Sequence, residues 1–416
     1  MVDYTNAPRN DYFCLDARSF YASCEAVKRG FDPNKVFLVV VGDLNYSGSI
    51  ILAASPKMKE VYNIGTGARL HMVPKLKHIH IVEANMKHYL DVSVSITRLL
   101  CEYVPYSSIW QYSVDEMFLK MTGLKRLYGE CREAATMIQK VILDNFGIPV
   151  TIGIGENPFL SKFTLDNYAK KEGIAECRYE HVPDMVWPVP IESCWGIGEA
   201  TALKLRSMGI RLMGQLAKAP LHLLRKKFGI IGEQIYWHAN GIDYSDLHNI
   251  GEPETKGFSH SITLLRDYLG DECKTVIIEL AEEVCRRARK AGLAAKTVHL
   301  YVGYSRVEPR RAISRTHSLT YYTNLTMDVY RVCLYIFDTY YKGGPVRQIG
   351  ISLSNVAPDD ALQLDLFQDN EKQRNLAKAM DAIRDKYGSD SLLRASSYTK
   401  AGVMLKRSNQ IGGHNA

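Results

Sequence analysis

Three carboxylates stand in two apolar segments of the first third of the chain. Asp16 ends the run Tyr12-Phe13-Cys14-Leu15, while Asp115 and Glu116 are adjacent within residues 113–119. Carboxylates in apolar sequence are costly to desolvate unless a cation neutralises them. Their oxygens suit Mg²⁺, which takes its other ligands from water and substrate phosphates. The residues therefore indicate phosphate chemistry, and acids that simply face solvent at a strand end are the alternative for the Asp-Glu pair alone.

The elements predicted around these acids are those of an α+β sheet domain. Strands are expected at 11–16, 36–42, 50–54, 79–83 and 150–154, and helices at 18–28, 88–103 and 129–146. A hairpin formed by 108–112 and 117–121 would put Asp115 and Glu116 near its tip. Because Asp16 ends the first strand, adjacent strands are expected to bring the three carboxylates together.

The rest of the chain changes character twice. Beyond Pro183 the composition becomes helical, and residues 241–256 have the Gly, Asp, Asn and Pro content of an exposed linker. A β-α-β-β-α-β order is then predicted, which is a split βαβ unit; its segments are 257–265, 272–290, 298–304, 312–319, 327–341 and 346–353. Residues after Pro358 are expected to be loosely folded.

Composition limits the class of protein. A chain of 416 residues is expected to form about two to four domains. It contains no apolar run near the roughly 18 residues that cross a bilayer, and its polar N-terminus has no export signal, so no membrane contact and a cytoplasmic location are expected. Nine cysteines without a C-x-x-C pair are expected to be reduced core thiols.

Positive charge is concentrated in the predicted split βαβ unit. The net charge of the whole chain is only +7, but residues 257–356 contain ten Arg and four Lys against nine Asp and Glu. This segment is the first candidate for contact with a polyanion. A solvated face without a partner is the alternative.

Longer motifs point to a family. Asp16 continues as Ala17-Arg18-Ser19-Phe20-Tyr21, which resembles the first motif of the Y-family translesion DNA polymerases, and Ser113-Val114-Asp115-Glu116 resembles their third. Gly153-Ile154-Gly155 and Asp166-Asn167-Tyr168-Ala169-Lys170 follow in the expected order. The similarity covers nearly the whole chain and is greatest to the UmuC-like branch of Gram-positive bacteria, their plasmids or phages. It implies a right-hand polymerase of low fidelity that performs translesion synthesis in DNA repair and the SOS response.

The resemblance assigns a metal centre. Asp16, Asp115 and Glu116, with the main-chain carbonyl of Ala17, would hold two Mg²⁺ ions for nucleotidyl transfer from a dNTP. Many family members carry a second acid two residues after the first, and this chain has Arg18 there. The UmuC-like branch also lacks that acid, so Arg18 does not imply inactivity.

Three residues are assigned to the nucleotide. Tyr21 matches the family's steric gate, an aromatic ring that leaves no room for a ribose 2′-hydroxyl; core packing is the alternative. Lys59 and Lys170 match cations that bind the triphosphate, although Pro56 replaces a tyrosine common in the family. Judged without the resemblance, each lysine is a solvated surface charge.

Two segments are predicted to contact primer-template DNA. Gly196 and Gly198, followed by Lys204, resemble a helix-hairpin-helix whose backbone amides approach a phosphate; a tight turn without a ligand is the alternative. In the segment that resembles the little finger, basic and hydroxyl residues alternate with apolar ones, so one basic face is expected along a strand. An ordinary half-exposed strand is the alternative reading of these residues, which are Arg310, Arg311, Ser314, Arg315 and Thr316.

The tail contains a short peptide similar to the motif that binds the bacterial β sliding clamp. Its residues are Gln363, Leu364, Asp365, Leu366 and Phe367. Exposed peptides with apolar anchors dock in grooves, and docking would raise processivity. A UmuD-like subunit or another SOS partner is a further candidate, because the UmuC protein itself works with partner subunits.

The resemblance also implies domain boundaries. The palm would be 1–24 and 75–180, the fingers 25–74, the thumb 181–245, a linker 246–256, the little finger 257–356 and the tail 357–416. A catalytically silent DNA- and clamp-binding factor of the same fold is the main alternative to a polymerase. A palm-fold nucleotide cyclase is a third reading, but it would have no use for the hairpin motif or the clamp peptide.

Overall fold

The computed structural model describes residues 3–245, 247, 255–359, 370–408 and 410–415. The chain divides into two compact units, Met1–Gly251 with His414–Ala416, and Glu252–Gly413. The predicted linker 246–256 lies mostly outside the described residues. No helix in the described ranges is both long and apolar enough to cross a membrane. All nine cysteines are free thiols, and seven of them are buried, which agrees with the prediction.

The first unit contains two sheets with helices around them. Its strands are β1 (Tyr12–Ala17), β2 (Phe37–Val41), β3 (Ile51–Ala54), β4 (Ile79–Glu83), β5 (Ile109–Gln111), β6 (Glu116–Lys120), β7 (Val150–Gly155) and β8 (Ile174–Cys177). Its helices are α1 (Phe20–Lys28), α2 (Pro56–Tyr62), α3 (Met86–Leu100), α4 (Lys125–Tyr128), α5 (Cys131–Phe146), α6 (Pro158–Thr164), α7 (Lys170–Glu172), α8 (Glu199–Ser207), α9 (Met213–Ala217), α10 (Leu221–Phe228) and α11 (Ile230–Ala239).

The larger sheet has the order β5-β6-β1-β7-β8 and carries the predicted carboxylates. Its central strand β1 is antiparallel to both β6 and β7. Helix α5 buries Ala135, Ile138 and Ile142, as its spacing predicts for a helix covering a sheet. The smaller sheet has the order β3-β2-β4, and β4 pairs in parallel with β2. The predicted palm segment from residue 75 therefore contributes a strand to the sheet of the predicted fingers.

The second unit has the predicted split βαβ fold. Its first elements are β9 (Gly257–Tyr268), α12 (Asp271–Lys290), β10 (Leu293–Tyr304), β11 (Ile313–Thr323), α13 (Thr326–Tyr340) and β12 (Val346–Pro358). The strands form an antiparallel sheet of order β11-β10-β12-β9. Apolar side chains of α12 and α13 pack on one face of this sheet, since both helices bury a stripe of residues such as Val276, Leu280 and Cys333.

The expectation of a loosely folded tail is wrong for much of its length. Helix α14 (Asn370–Tyr387) and helix α15 (Met404–Ser408) follow, and β13 (Gln410–Ile411) and β14 (His414–Asn415) are the last described strands. Ion pairs join α14 to α12, including Arg289 with Asp381 at 2.6 Å and Arg286 with Asp385. These partners are about a hundred residues apart in sequence, so composition alone gave no sign of them.

Candidate active site

The register of the larger sheet places the first and third motifs side by side. Asp16 on β1 lies directly opposite Glu116 on β6. The preceding turn is fixed by Ser113, whose Oγ accepts the backbone N–H of Glu116 at 3.0 Å and donates to Asp115 Oδ1 at 2.7 Å. The N–H of Ala17 donates to the carbonyl of Asp115 at 2.9 Å. The predicted approach of the two motifs is therefore confirmed.

The carboxylate of Asp16 is poorly compensated. Its side chain is only 16% exposed. Burial raises the pKa of Asp16 to about 7; Glu116 and Asp115 contribute in the same direction, and the charge of Lys170 opposes them. Asp16 thus shares its surroundings with two other carboxylates, which is the electrostatic situation that a divalent cation relieves.

Two lysines reach the carboxylates from one helical segment. Lys162 on α6 donates to Glu116 Oε1 at 2.7 Å and is 5% exposed. Lys170, at the start of α7, lies 3.3 Å from Asp16 Oδ2 and 3.9 Å from Glu116 Oε1. Between them the chain forms a π-helical turn, Leu165–Ala169, and such turns are frequent at functional sites.

Glycines on β7 allow this segment to lie close to the sheet. A Cβ on Gly153 would be 2.3 Å from the backbone N of Leu165, and one on Gly155 would be 2.4 Å from the N of Ser161. Any larger residue would push the segment away from the sheet. The Gly-x-Gly motif therefore has a packing role that brings Lys162 and Lys170 to the acids.

A cleft of about 1020 Å³ opens beside this cluster. Arg18, Lys59 and Lys170 give the cleft a cationic lining, and Lys59 Nζ donates to Ser19 Oγ at 2.9 Å. Burial lowers the pKa of Lys59, and the positive charges of Arg18 and Lys170 lower it further. The lining includes all the predicted metal and nucleotide residues except Glu116, namely Asp16, Ala17, Tyr21, Lys59, Asp115 and Lys170.

Tyr21 lies at the cleft and packs on a buried tyrosine. Both Phe20 and Tyr21 line the cleft, but Phe20 is buried at 3% exposure, whereas Tyr21 is half-buried. The Tyr21 ring stacks on Tyr89 with centroids 4.5 Å apart. The Tyr89 hydroxyl donates to buried Glu25 at 2.9 Å, and Glu25 is also paired with Arg29. One side of Tyr21 therefore packs on Tyr89, which is itself fixed by Glu25, while Tyr21 also lines the cleft.

The donor set fits Mg²⁺ in its chemistry, although it is not assembled into a complete metal shell. No group of three His, Cys, Asp or Glu side chains within the described ranges is arranged to hold a metal ion. The positive charge nearest to Asp16 and Glu116 comes from Lys170 and Lys162. The hard oxygen donors, their position at a cleft and the raised pKa of Asp16 nevertheless match the needs of a Mg²⁺ site.

The thumb motif leaves its glycine backbone open. Gly196 has a φ of +88°, which favours glycine, and Gly198 immediately precedes α8. A Cβ at either position would meet no atom of the described chain within 4 Å. Lys204 is exposed on α8. This accessible backbone is compatible with the predicted phosphate contact.

The single basic face predicted for the second unit is wrong. Ser314 and Thr316 lie opposite Tyr301 and His299, on the face of the sheet that carries no helix. Arg315 lies opposite the core residue Leu300, and its guanidinium stands 4.8 Å from the ring of Tyr340 on α13. Successive residues of a strand point to opposite faces, so Arg315 cannot join its two neighbours.

The two other arginines of this prediction precede β11. Arg310 donates to the carbonyl of Lys342 at 3.0 Å and pairs with Glu308, while Arg311 is exposed. The predicted clamp peptide, residues 363–367, lies outside the described residues.

Sequence reasoning missed two residues of the cluster. Lys162 was not singled out, and Asp166 was quoted only as part of a motif. Asp166 Oδ1 accepts from Lys162 at 3.1 Å and from Lys170 at 2.8 Å. The spacing of Lys162, Asp166 and Lys170 by four residues was the available signal, because such residues share a helix face.

Family comparisons agree with the fold and the motifs. Residues 15–166 match the impB/mucB/samB family, residues 255–366 match its C-terminal domain, and residues 194–243 match the thumb domain of DNA polymerase-iota. The chain therefore belongs to the impB/mucB/samB family, and its fold is that of the Y-family DNA polymerases. The resemblance and the fold class predicted from the sequence are confirmed.

Individual relatives cover the chain almost completely. "Putative UV-damage repair protein UvrX" of Bacillus subtilis is 45% identical over all of both chains. "DNA polymerase IV 2" of the same organism is 37% identical over 97% of this chain and 98% of its own length. A solved Y-family DNA polymerase chimera, "Dbh-Dpo4(243-245)-Dbh", has a TM-score of 0.63 at 19% identity, covering 84% of this chain and 99% of the other.

Proposed function

We propose that this protein is a template-directed DNA polymerase of low fidelity that performs translesion synthesis in DNA repair and the SOS response. One observation carries the proposal. A single cleft is lined by carboxylates, cations and an aromatic ring, namely Asp16, Asp115, Lys59, Lys170 and Tyr21. Family membership supports the chemical class, and this arrangement supports the assignment of separate residues to the metal, the triphosphate and the sugar.

The residues divide the work of nucleotide addition. Lys59 and Lys170 bind the triphosphate as point charges, and Tyr21 excludes a 2′-hydroxyl by its position. Asp16, Asp115 and Glu116, with the Ala17 carbonyl, would hold two Mg²⁺ ions. Bound there, Mg²⁺ stabilises negative charge on the attacking and leaving oxygens. The open cleft and the short fingers segment support limited checking of the new base pair.

The other parts of the chain are assigned by the same resemblance. We assign the palm to 1–24 and 75–180, the fingers to 25–74, the thumb to 181–245 and the little finger to 257–356, with β4 joined to the fingers through β2. The thumb glycines and the open face of the little-finger sheet would contact primer-template DNA. A cytoplasmic location and an SOS partner such as a UmuD-like subunit belong to the same proposal.

Primer extension tests the activity. Purified full-length protein with Mg²⁺, primer-template and each dNTP is expected to extend primers on undamaged and abasic templates. Asp115→Ala should abolish extension and leave primer-template binding intact. The control is Asp91→Ala, which changes an exposed acid on α3. Wild-type protein that binds DNA but extends no primer, with or without clamp and SOS partner, would favour the silent DNA-binding factor instead.

Clamp binding needs its own test. We propose that residues 363–367 bind the bacterial β sliding clamp, on the basis of sequence similarity alone. Leu366→Ala with Phe367→Ala should weaken clamp affinity and processive synthesis, and should leave single-nucleotide addition unchanged. Unaltered clamp affinity would refute this assignment.

A further inference from the structure

Asp166 links the two lysines of the active-site cluster. It lies in the π-helical turn between Lys162 on α6 and Lys170 on α7. One oxygen, Oδ1, accepts both ammonium groups, from Lys162 at 3.1 Å and from Lys170 at 2.8 Å. Asp166 is neither a proposed metal ligand nor a proposed triphosphate contact, and neither role accounts for its two ion pairs.

Lys170 divides its contacts unequally. Its ammonium is nearer to Asp166, at 2.8 Å, than to Asp16, at 3.3 Å, or to Glu116, at 3.9 Å. Asp16 and Glu116 are proposed metal ligands, whereas Asp166 is not. An ammonium group close to a carboxylate competes with any other cation for that carboxylate. Asp166 is therefore placed to compete with Asp16 and Glu116 for the Lys170 ammonium.

We propose that Asp166 is a positioning residue that draws the Lys170 ammonium toward itself and so weakens the ion pair of Lys170 with Asp16. This keeps the Asp16 carboxylate available to Mg²⁺ and keeps Lys170 at the cleft for the triphosphate. The inference rests on the proposed polymerase function. Without the charge of Asp166, Asp16 is the nearest remaining carboxylate to the Lys170 ammonium, and the ammonium would move onto it.

Metal binding provides a readout that does not depend on turnover. Mn²⁺ is titrated into full-length protein with a dideoxy-terminated primer-template and the matching dNTP, and free Mn²⁺ is followed by electron paramagnetic resonance. Asp166→Asn is expected to weaken Mn²⁺ binding about tenfold, the size of one charge-assisted hydrogen bond. Asp166→Glu should restore it. The matched control is Asp184→Asn, which changes an exposed acid in a second π-helical turn, Val182–Val186.

A double variant separates this role from a simple loss of negative charge. In the Lys170→Gln background, Asp166→Asn should weaken Mn²⁺ binding less than threefold, because no ammonium is left to compete. A full tenfold loss in that background would show that Asp166 acts through its own charge and would overturn the inference. If Asp166→Asn does not retain DNA binding, Asp166→Ser takes its place in the same comparison.

Kinetics give a second, independent readout. Asp166→Asn should raise the KM for dNTP about tenfold, with kcat at saturating dNTP and Mg²⁺ within threefold of the wild type. A structural role would instead lower kcat and the unfolding temperature. Wild-type protein that extends primers and binds Mn²⁺ no better than Asp166→Asn would overturn this inference alone. Wild-type protein that does neither would overturn the proposed function and this inference with it.

Discussion

Two clusters of charged side chains in this molecule are built in different ways. The cleft cluster, in the first unit, consists of Asp16, Glu116, Lys162, Asp166 and Lys170. Here two ammonium groups are shared among three carboxylates at distances from 2.7 to 3.9 Å. The cations paired with these carboxylates are lysine ammonium groups and not guanidinium groups. The cluster borders an open cleft.

The tail cluster, in the second unit, consists of Glu282, Arg289, Asp381, Arg384 and Arg394. One oxygen of Glu282 accepts a hydrogen bond from Arg384 at 3.0 Å, and the other accepts one from Arg394 at 2.7 Å. Asp381 accepts hydrogen bonds from two nitrogens of Arg289, at 2.6 and 3.0 Å. Each carboxylate oxygen in this cluster therefore accepts a hydrogen bond from a separate guanidinium nitrogen.

The difference teaches what each cluster is for. Guanidinium forks fix the geometry of a carboxylate, whereas an ammonium group is a point charge that can change partners. The tail cluster is closed and holds α14 on α12. The cleft cluster is incomplete, and burial accordingly raises the pKa of Asp16 to about 7. Substitutions in the cleft should therefore cost activity, and substitutions in the tail should cost stability.

The largest expected effect is that of Asp16→Asn on catalysis. Loss of a ligand that positions Mg²⁺ should remove several kcal/mol of transition-state stabilisation, so kcat/KM for dNTP should fall by about 10³-fold or more. Thermal unfolding should show no loss of stability, because the fold disfavours the charged form of this carboxyl. Asp91→Asn is the control. A drop of less than tenfold, or a large loss of stability, would place Asp16 with the structural charges.

The second effect is that of Glu282→Gln on stability. It leaves Arg384, whose side chain is 4% exposed, without its anion, and should cost the second unit about 3 kcal/mol in free energy of unfolding. Hydrogen exchange of α12 in the full chain measures this loss. Nucleotide addition at low temperature should stay within about twofold. Glu371→Gln, at an exposed position of α14, should change stability by less than about 0.5 kcal/mol, and an equal loss there would contradict the comparison.

The same contrast explains how far the sequence could go. The placement of Asp16 beside Glu116 was predictable, because Asp16 follows one short apolar run and Glu116 precedes another, and both runs read as buried strands. The split βαβ unit was predictable for the same reason. Lys162 was not, because its partner Glu116 is 46 residues away and meets it only through the close packing allowed by Gly153.

The two wrong expectations have a common cause. Helix α14 looked unstructured because its sequence is polar, yet its charges find partners on α12 such as Arg289. Arg315 was assigned to the same face as Ser314 from an apparent alternation with apolar residues, yet the two are adjacent in β11 and the strand directs Arg315 to the opposite face. In both cases the outcome depends on which side chains face each other in the folded chain. The spacing of charged residues in the sequence gives little information about that.

The third prediction concerns Tyr21, which stacks on Tyr89 and also lines the cleft. Removing a ring that blocks a 2′-hydroxyl relieves an overpacking cost of about 1–3 kcal/mol. Tyr21→Ala should therefore lower the preference for dNTP over rNTP about 10- to 100-fold, measured as the ratio of kcat/KM values. Tyr106→Ala, which changes a tyrosine that is 77% exposed, is the control. Unchanged sugar discrimination would reassign Tyr21 to packing against Tyr89.

The smallest expected effect concerns His260, on β9 next to the described tail residues. Burial lowers the pKa of His260 to about 4, and the charges of Arg407 and Arg287 contribute in the same direction. The folded state then binds fewer protons than the unfolded chain between that value and the ordinary histidine pKa of about 6.5, so stability falls as pH drops through this window. After allowance for partial exposure, the loss should be about 1 kcal/mol by pH ~4.5.

His260→Gln should remove that part of the pH dependence, and His317→Gln, at an exposed position of β11, should leave it in place. Denaturant unfolding of the second unit at several pH values makes the measurement. This slope is expected because protonation of His260 would add a third positive charge to those of Arg287 and Arg407. An identical slope in wild type and His260→Gln would mean that the His260 side chain reaches solvent when it is protonated. The contacts around His260 would then rearrange as readily as those of the cleft cluster.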